Sequence, residues 1–250
     1  MFLTEAPCRF TLTLSTKLAE LRICSPRGKP SRALTGTNAR QKEFSRCSLA
    51  VLLTLPPMAG KVTDSDLPIE TARLKLRRFR EDDAESLLAL YGNPQVVRYL
   101  YTEPMQRDRL GEALQRRLRP AKLEVEGDVL ELAAELRTSG EFVGTVTLFH
   151  RSSEHSRGEI GYTIAPEFWG HGFAREGATA LLRIGFELLG LHRLEGQCDA
   201  RNLASVRVME VIGMRKEAHL RENEFVKGEW TDEILFAMLA DEWARLQGTD

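Results

Sequence analysis

The chain has 250 residues, 42% hydrophobic and 28% charged, with a net charge of −1, the composition of a soluble globular protein able to build a real core. The charge is unevenly spread: residues 1–57 hold nine Lys/Arg against three Asp/Glu, which leaves −7 on residues 58–250. In the first part the longest apolar run, Leu49-Ala50-Val51-Leu52-Leu53-Thr54-Leu55, is about a third of a bilayer span and lies too far from the N-terminus for a signal peptide, so no membrane segment is expected.

Residues 1–57 are rich in Arg, Ser and Thr and show no sustained helical or strand period. They fit a transit peptide, or a stretch translated ahead of a true start at Met58. The favoured reading, ahead of a targeting signal, is a mis-assigned start or a disordered leader over 1–64, followed by one folded domain over 65–250. Cys8, Cys24, Cys47 and Cys198 show no CxxC spacing, so neither a disulfide framework nor a metal site is expected. Reduced thiols point to a cytoplasmic protein.

In chain order, Leu74 and Leu76 alternate with charged residues and predict a short half-buried strand. Asp82 or Asp83 can cap a helix carrying Ala84, Leu87, Leu88 and Tyr91 on one face. Residues 105–118 predict a second, very basic helix. "VLELAAEL" and "FVGTVTLF" form a hairpin around Thr138-Ser139-Gly140-Glu141, and "HRSSEHSRG" is a polar connection to a strand over Glu159–Ile164. A helix with Ala174, Ala178, Leu182, Phe186 and Leu189 at helical spacing follows, closed by Gly190. "HRLEGQCDA" is a strand, Asn202 caps a short helix that ends at Gly213, and two last strands flank Lys227-Gly228. This order predicts an α/β domain.

The join between strand and long helix, Trp169-Gly170-His171-Gly172-Phe173-Ala174-Arg175, is unusually slim. A turn needs one glycine; two glycines and an alanine suggest a ligand against the backbone. The helix opens without a carboxylate at residues 173–175, leaving its N–H groups and positive dipole end to an anion. A tight structural turn explains the pattern less well than a pyrophosphate does. A dinucleotide motif would need glycine at position 175, where Arg175 stands, and Asp199 lies too far on for its acidic partner. The Gly-Lys-Ser/Thr of a P-loop is missing.

The join resembles the acetyl-CoA loop, Gln/Arg-x-x-Gly-x-Gly/Ala, of the GNAT superfamily of N-acetyltransferases, with Gly172 and Ala174 matching and Trp169 at the Gln/Arg place. With Gly161-Tyr162, Pro166, Glu176 and Ala178 around it, it is similar to the RimJ/RimL branch of ribosomal-protein acetyltransferases. "ETARLKLRRFREDDAESL", "NLASVRVMEVIGM" and "KGEWTDEILFAML" resemble the first strand and helix, the Asn-x-x-Ser helix and the closing hairpin of that branch. The resemblance covers about residues 68–240. It implies a central, mostly antiparallel sheet flanked by helices, and acetyl-CoA as cosubstrate. It also implies a CoA site at Tyr162, Thr163, Ile164, Trp169, Gly170, His171, Gly172, Phe173, Ala174, Arg175, Asn202 and Ser205. The oxyanion is expected on backbone N–H near Tyr162–Ile164, where a bulge splays the strand.

Ser205 matches the hydroxyl that serves the leaving thiolate in this branch, and is otherwise a plain first-turn helix serine. Glu217, after "GMRK", and Glu159, at the start of the strand, are the candidate bases, each also readable as a surface charge. A protein N-terminus, with a pKa of about 7.7–8.0, needs less of a base than a lysine does. No cysteine lies in the matched motifs, so direct transfer is expected. Three functions stay open at this point: acetylation of a protein N-terminal α-amine, acetylation of a small amine such as a polyamine, amino sugar or antibiotic, and CoA binding without catalysis. No nucleic acid or membrane partner is expected, and a homodimer is a family-level expectation.

Overall fold

In Leu74-Lys75-Leu76-Arg77 the period-two pattern puts both leucines in the core, and the chain builds outward from such strands. A computed structural model of the protein describes residues 60–248; residues 1–59, with most of the expected leader and Cys8, Cys24 and Cys47, lie outside the described residues. The first half runs through β1 (Val62–Thr63), β2 (Ile69–Glu70), β3 (Leu74–Arg77), α1 (Ala84–Tyr91), α2 (Pro94–Val97), α3 (Arg107–Arg117) and β4 (Lys122–Leu123). There follow the hairpin β5 (Val129–Leu136) and β6 (Phe142–Ser152), β7 (Arg157–Ile164) and α4 (Phe173–Arg183). The chain closes with β8 (Arg193–Asp199), α5 (Leu203–Val211), β9 (Arg215–Val226), β10 (Glu229–Leu239) and α6 (Ala240–Gln247).

Eight strands form one sheet in the order β2-β3-β5-β6-β7-β8-β10-β9, and β1 pairs with β4. Its pairings are antiparallel except that of β7 with β8, which needs a crossover, supplied by α4. The expected α/β class, a mostly antiparallel mixed sheet flanked by helices, is the fold the chain adopts.

Alternation sorts the two faces. Leu130, Leu132 and Ala134 of β5 enter the core shared with α4, α5 and α6, while Ala133 enters a smaller cluster with Leu87 of α1 and Leu110 and Leu114 of α3. On α4 the buried stripe is Gly177, Ala178, Leu181 and Leu182. Each fully buried leucine contributes about 1.5–3 kcal/mol. A Cβ on Gly177 would come within 2.7 Å of Val146 Cγ1, so the missing side chain lets the helix close onto β6. The helix does not run as one α-helix to Leu189; Ile184–Leu188 is a π turn, and Gly190 (φ 67°) follows it.

A buried charge cluster ties the α1–α3 layer to the sheet. The Arg77 guanidinium donates to both Asp83 carboxylate oxygens at 2.8 Å and, through Nε, to Glu135. Asp83 also accepts from the Arg80 N–H at 2.7 Å. The expected helix cap is therefore different in kind: Asp83 holds the N-cap position, but its side chain makes no capping bond because Arg77 takes it. Three further differences are local. The polar connection is a short turn, since β6 runs on to Ser152 and β7 starts at Arg157. Val62, ahead of the expected domain start, is fully buried in the pairing of β1 with β4. The α6 helix, unforeseen, stacks Trp243 on Phe186 at 6.0 Å.

Candidate active site

The loop before α4 is stitched from outside so that its inner side stays bare. The Trp169 indole donates to the Ile164 carbonyl at 2.7 Å, closing the chain around Pro166–Phe168. Arg73 donates to the His171 carbonyl at 2.9 Å and lies 4.4 Å over the Phe173 ring. Glu176 accepts from the Thr71 hydroxyl and the Arg73 N–H, each at 2.6 Å, and from the Arg73 guanidinium at 2.8 Å. Burial alone would raise the Glu176 pKa; those hydrogen bonds outweigh it and hold the carboxyl low. The acidic residue of the first turn is thus spent on the strand entry.

Gly170 (φ 77°) and Gly172 (φ 81°) both sit in the left-handed region, which costs an ordinary L-residue about 1–2 kcal/mol. Gly172 is also the N-cap of α4 and makes no capping bond. At α2 and α5 the caps are Asn93 and Asn202, whose side chains accept from the N–H of Gln95 and of Ser205. At α4 no such acceptor is present: among the described residues, the N–H groups of residues 170–175 have no hydrogen-bond partner. His171 and Arg175 are exposed, Ala174 is half-buried and Phe173 buried. The donor set is a row of main-chain amides without Cβ atoms in front of it, and fits a diphosphate.

The same end of the sheet is split. β7 and β8 pair only through Arg157↔Arg193, Gly158↔Leu194 and Glu159↔Glu195, and then part. On its other side β7 stays paired with β6 up to Gly144↔Ile164, and the register shift there lies at His150/Ser152. The expected bulge near Tyr162–Ile164 is therefore not present; strand divergence from β8 makes the opening. Ala165 N–H bonds to the Val143 carbonyl, so strand alternation turns the N–H groups of Tyr162 and Ile164 toward the gap. A Cβ on Gly144 would lie 2.1 Å from the Thr163 carbonyl oxygen, so only glycine allows β6 this close.

A cleft of about 400 Å³ runs through the gap. On the α5 side it is lined by Tyr162, Thr163, Cys198, Asn202 and Ser205, and on the α1 side by Tyr91, Tyr99, Tyr101, Arg117, Glu131 and Phe149. The Tyr162 hydroxyl lies 2.9 Å from Ser205 Oγ and donates to the Ser205 carbonyl at 3.2 Å. Burial pushes the Tyr162 hydroxyl far above the usual tyrosine range, against the Ser205 hydrogen bond, so it keeps its proton. Burial, with Asp199 and Glu233 nearby, likewise pushes the Cys198 thiol up to about 11. The cleft thus does contain a cysteine, outside the matched motifs, but one held in its un-nucleophilic thiol form.

The two candidate bases do not line the cleft. Glu217 accepts from Arg193 at 2.6 Å and from Arg215 at 3.2 Å; the Arg193 hydrogen bond, opposed by burial and joined by Arg215, holds its carboxyl below the usual range. Glu159 accepts from Arg151 Nε at 2.8 Å. Glu131, which does line the cleft, is paired with Arg117 at 2.7 Å. Each of these carboxylates is engaged by an arginine. Among the described residues, no cluster of His, Cys, Asp and Glu is placed to hold a metal ion, and no helix is long and apolar enough to cross a membrane.

Residues 73–215, more than half of the chain, match the family model for the acetyltransferase (GNAT) domain. The chain belongs to the GNAT acetyltransferase family. It is similar to the uncharacterized N-acetyltransferase YoaA of Bacillus subtilis, 33% identical over 171 residues that cover 68% of this chain and 96% of the relative. A GNAT-family acetyltransferase structure from Bacillus anthracis superposes with a TM-score of 0.63 at 27% identity, covering 69% of this chain and 98% of that one. The spermidine N-acetyltransferase of Vibrio cholerae, solved with CoA and spermine, gives a TM-score of 0.60 at 25% identity, with 70% and 99% covered. This GNAT domain is accordingly an acetyl-CoA-dependent N-acetyltransferase that acetylates an amine.

Several cleft residues of the GNAT domain escaped the sequence reading. Cys198 was legible in principle: in "LEGQCDA" alternation puts it on the same face as the buried Leu194. Tyr91, Tyr99 and Tyr101 cluster within one short stretch, a density of aromatics that marks a binding wall. Arg73, which braces the loop from the bend before β3, had no local signal.

Proposed function

We propose that the acceptor is a protein N-terminal α-amine, as in ribosomal-protein acetyltransferases of the RimJ/RimL type, and that the acetyl group passes to it directly. The observation that carries this reading is the lack of an available base: Glu159 and Glu217 lie outside the cleft lining and Glu131 is paired with Arg117. An α-amine with a pKa of about 7.7–8.0 is about a tenth neutral at pH 7, while a lysine or polyamine nitrogen is almost wholly protonated.

In this reading the diphosphate of acetyl-CoA lies on the amides of residues 170–175, and Asn202 flanks the pantetheine arm. The neutral amine attacks the thioester carbonyl carbon, and the charge that develops on its oxygen meets the N–H groups of Tyr162 and Ile164. The C–S bond breaks and the sulfur takes a proton from the Ser205 hydroxyl. The proton lost by the attacking nitrogen, passed through water, balances it. Tyr162 keeps its own proton and orients Ser205; it is a positioning residue. Cys198 takes no part, because its thiol does not ionise near neutral pH.

Acetyl-CoA turnover with a panel of free-N-terminus peptides, spermidine, an amino sugar and an aminoglycoside tests the reading. Peptides should give the highest kcat/KM, with rates that rise through about pH 8 as the α-amine deprotonates. A higher kcat/KM for any of the small amines would overturn it. The polyamine alternative draws on one observation, the buried Glu233 beside Tyr101 in the cleft wall, and the same panel decides it.

A further inference from the structure

Next to the cleft lies a second concavity of about 540 Å³. The two share Arg117, Val129, Glu131 and Phe149 as walls, so they adjoin along these four side chains. Four more basic side chains converge on the outer part from three segments: Arg78 at the end of β3, Arg116 on α3, and Arg119 and Lys122 beyond it.

Their partners differ. Arg78 pairs with Asp64 at 2.7 Å and donates to the Leu118 carbonyl at 2.6 Å, yet its buried Nε has no partner. Arg117 is spent on Glu131 at 2.7 Å, and Lys122 lies 3.4 Å from Glu124. Asp128 is the other acid in the wall, and its carboxylate accepts the N–H groups of Glu124 and Val125. The side chains of Arg116 and Arg119 make no ion pair or hydrogen bond among the described residues. On the same helix Arg107 and Arg109 are answered by Glu85 at 2.8 Å and Glu112 at 3.7 Å. Basic residues in a last helical turn suit the helix dipole, which accounts for Arg116 and Arg117. It does not account for Arg78, Arg119 and Lys122, which reach the same hollow from other segments. The positive basin is also set in a stretch, residues 58–250, that carries −7 overall, so it stands out against the surrounding field.

We infer that this basin seats an anionic group carried by the acceptor beyond its reactive amine: the carboxylates of acidic residues that follow the N-terminal residue. The inference rests on the α-amine reading above and specifies it. The amine reaches the thioester through the gap between β7 and β8, and the chain behind it runs along Phe149 and Val129 to Arg116 and Arg119. There two unpaired guanidinium groups donate charge-assisted hydrogen bonds to the carboxylates.

The test compares kcat/KM for two peptides with the same first residue, one with Asp and Glu at positions two to four and one with Asn and Gln there. The acidic peptide should win by about tenfold at low salt, less at high salt, as expected of charges near solvent. The ratio should fall to near one in Arg116→Gln/Arg119→Gln and recover in large part in Arg116→Lys/Arg119→Lys. It should persist in Arg107→Gln/Arg109→Gln, which removes as much charge from the same helix outside the basin. Equal kcat/KM for the two peptides, or a ratio undiminished in Arg116→Gln/Arg119→Gln, would overturn the inference. If peptides are not acetylated but small amines are, the α-amine reading fails; glucosamine against glucosamine 6-phosphate then decides whether the basin selects an anion. Calorimetry of the acidic peptide on the CoA-saturated enzyme gives an answer without turnover: binding weakened in Arg116→Gln/Arg119→Gln supports the seat, and binding unchanged or absent in the wild type contradicts it.

Discussion

The two sides of the gap between β7 and β8 are built from different materials. The side proposed for CoA is main chain: six amides, two left-handed glycines and a helix end whose cap has no side chain. The side proposed for the acceptor is long side chains from α1, α3 and the segment after α2, with guanidinium and carboxylate groups already matched inside it. A backbone cradle fits any ligand with the same diphosphate and tolerates few substitutions at its glycines. A wall of side chains can be respecified one residue at a time, and that is where a choice of amine belongs.

The sharpest way to separate the sides is to loosen one of them. Arg77→Met leaves Asp83 buried without its cation, while Glu135 keeps Lys75 at 3.5 Å and Arg80 at 3.8 Å, which should cost about 3 kcal/mol of stability. A chemical denaturation curve reads it, and CoA affinity measured below the transition should change little because the cluster anchors the α1–α3 layer. Gly172→Val attacks the other side. A β-branched residue at φ 81° with its Cβ 3.5 Å from the Arg73 guanidinium should weaken CoA binding by about tenfold to a hundredfold, by calorimetry, while costing only about 1–2 kcal/mol of stability.

Smaller effects probe the chemistry between the sides. Ser205→Ala should lower kcat by about tenfold with KM for acetyl-CoA held, since a thiolate of pKa about 8.5 leaves fairly well unaided. Tyr162→Phe should lower kcat by less, because it removes only the partner that orients Ser205. An unchanged rate in Ser205→Ala would take the residue out of the reaction. The smallest change is expected from Glu217→Gln: kcat within about twofold and the basic limb of the pH–rate profile intact, since its carboxylate is bound to Arg193 and Arg215 and is a poor base. A lost basic limb would restore Glu217 as the base.

The same division explains what could be read in advance. The glycine join, the strand before it and the Asn202 cap are local patterns, in which a few adjacent residues fix backbone geometry, and each lies where it was expected. Ser205 comes near Tyr162 by a contact across 43 residues, foreseen only through resemblance. Arg193 reaches Glu217 across 24 residues, and no local pattern reveals that this pairing draws a candidate base away from the cleft. The acceptor wall depends throughout on such distant meetings: Arg117 with Glu131, Tyr101 with Glu233. The very basic helix was visible from composition, but which of its arginines lack partners is a property of the fold.

An amide-resolved NMR titration with CoA tests the central claim most directly. The account predicts that the largest chemical-shift changes fall on the N–H groups of residues 170–175, with Gly170 and Gly172 among them, as those free donors take up the diphosphate. If CoA binds and these amides stay still while others move, the diphosphate lies elsewhere and the assignment of the loop is wrong.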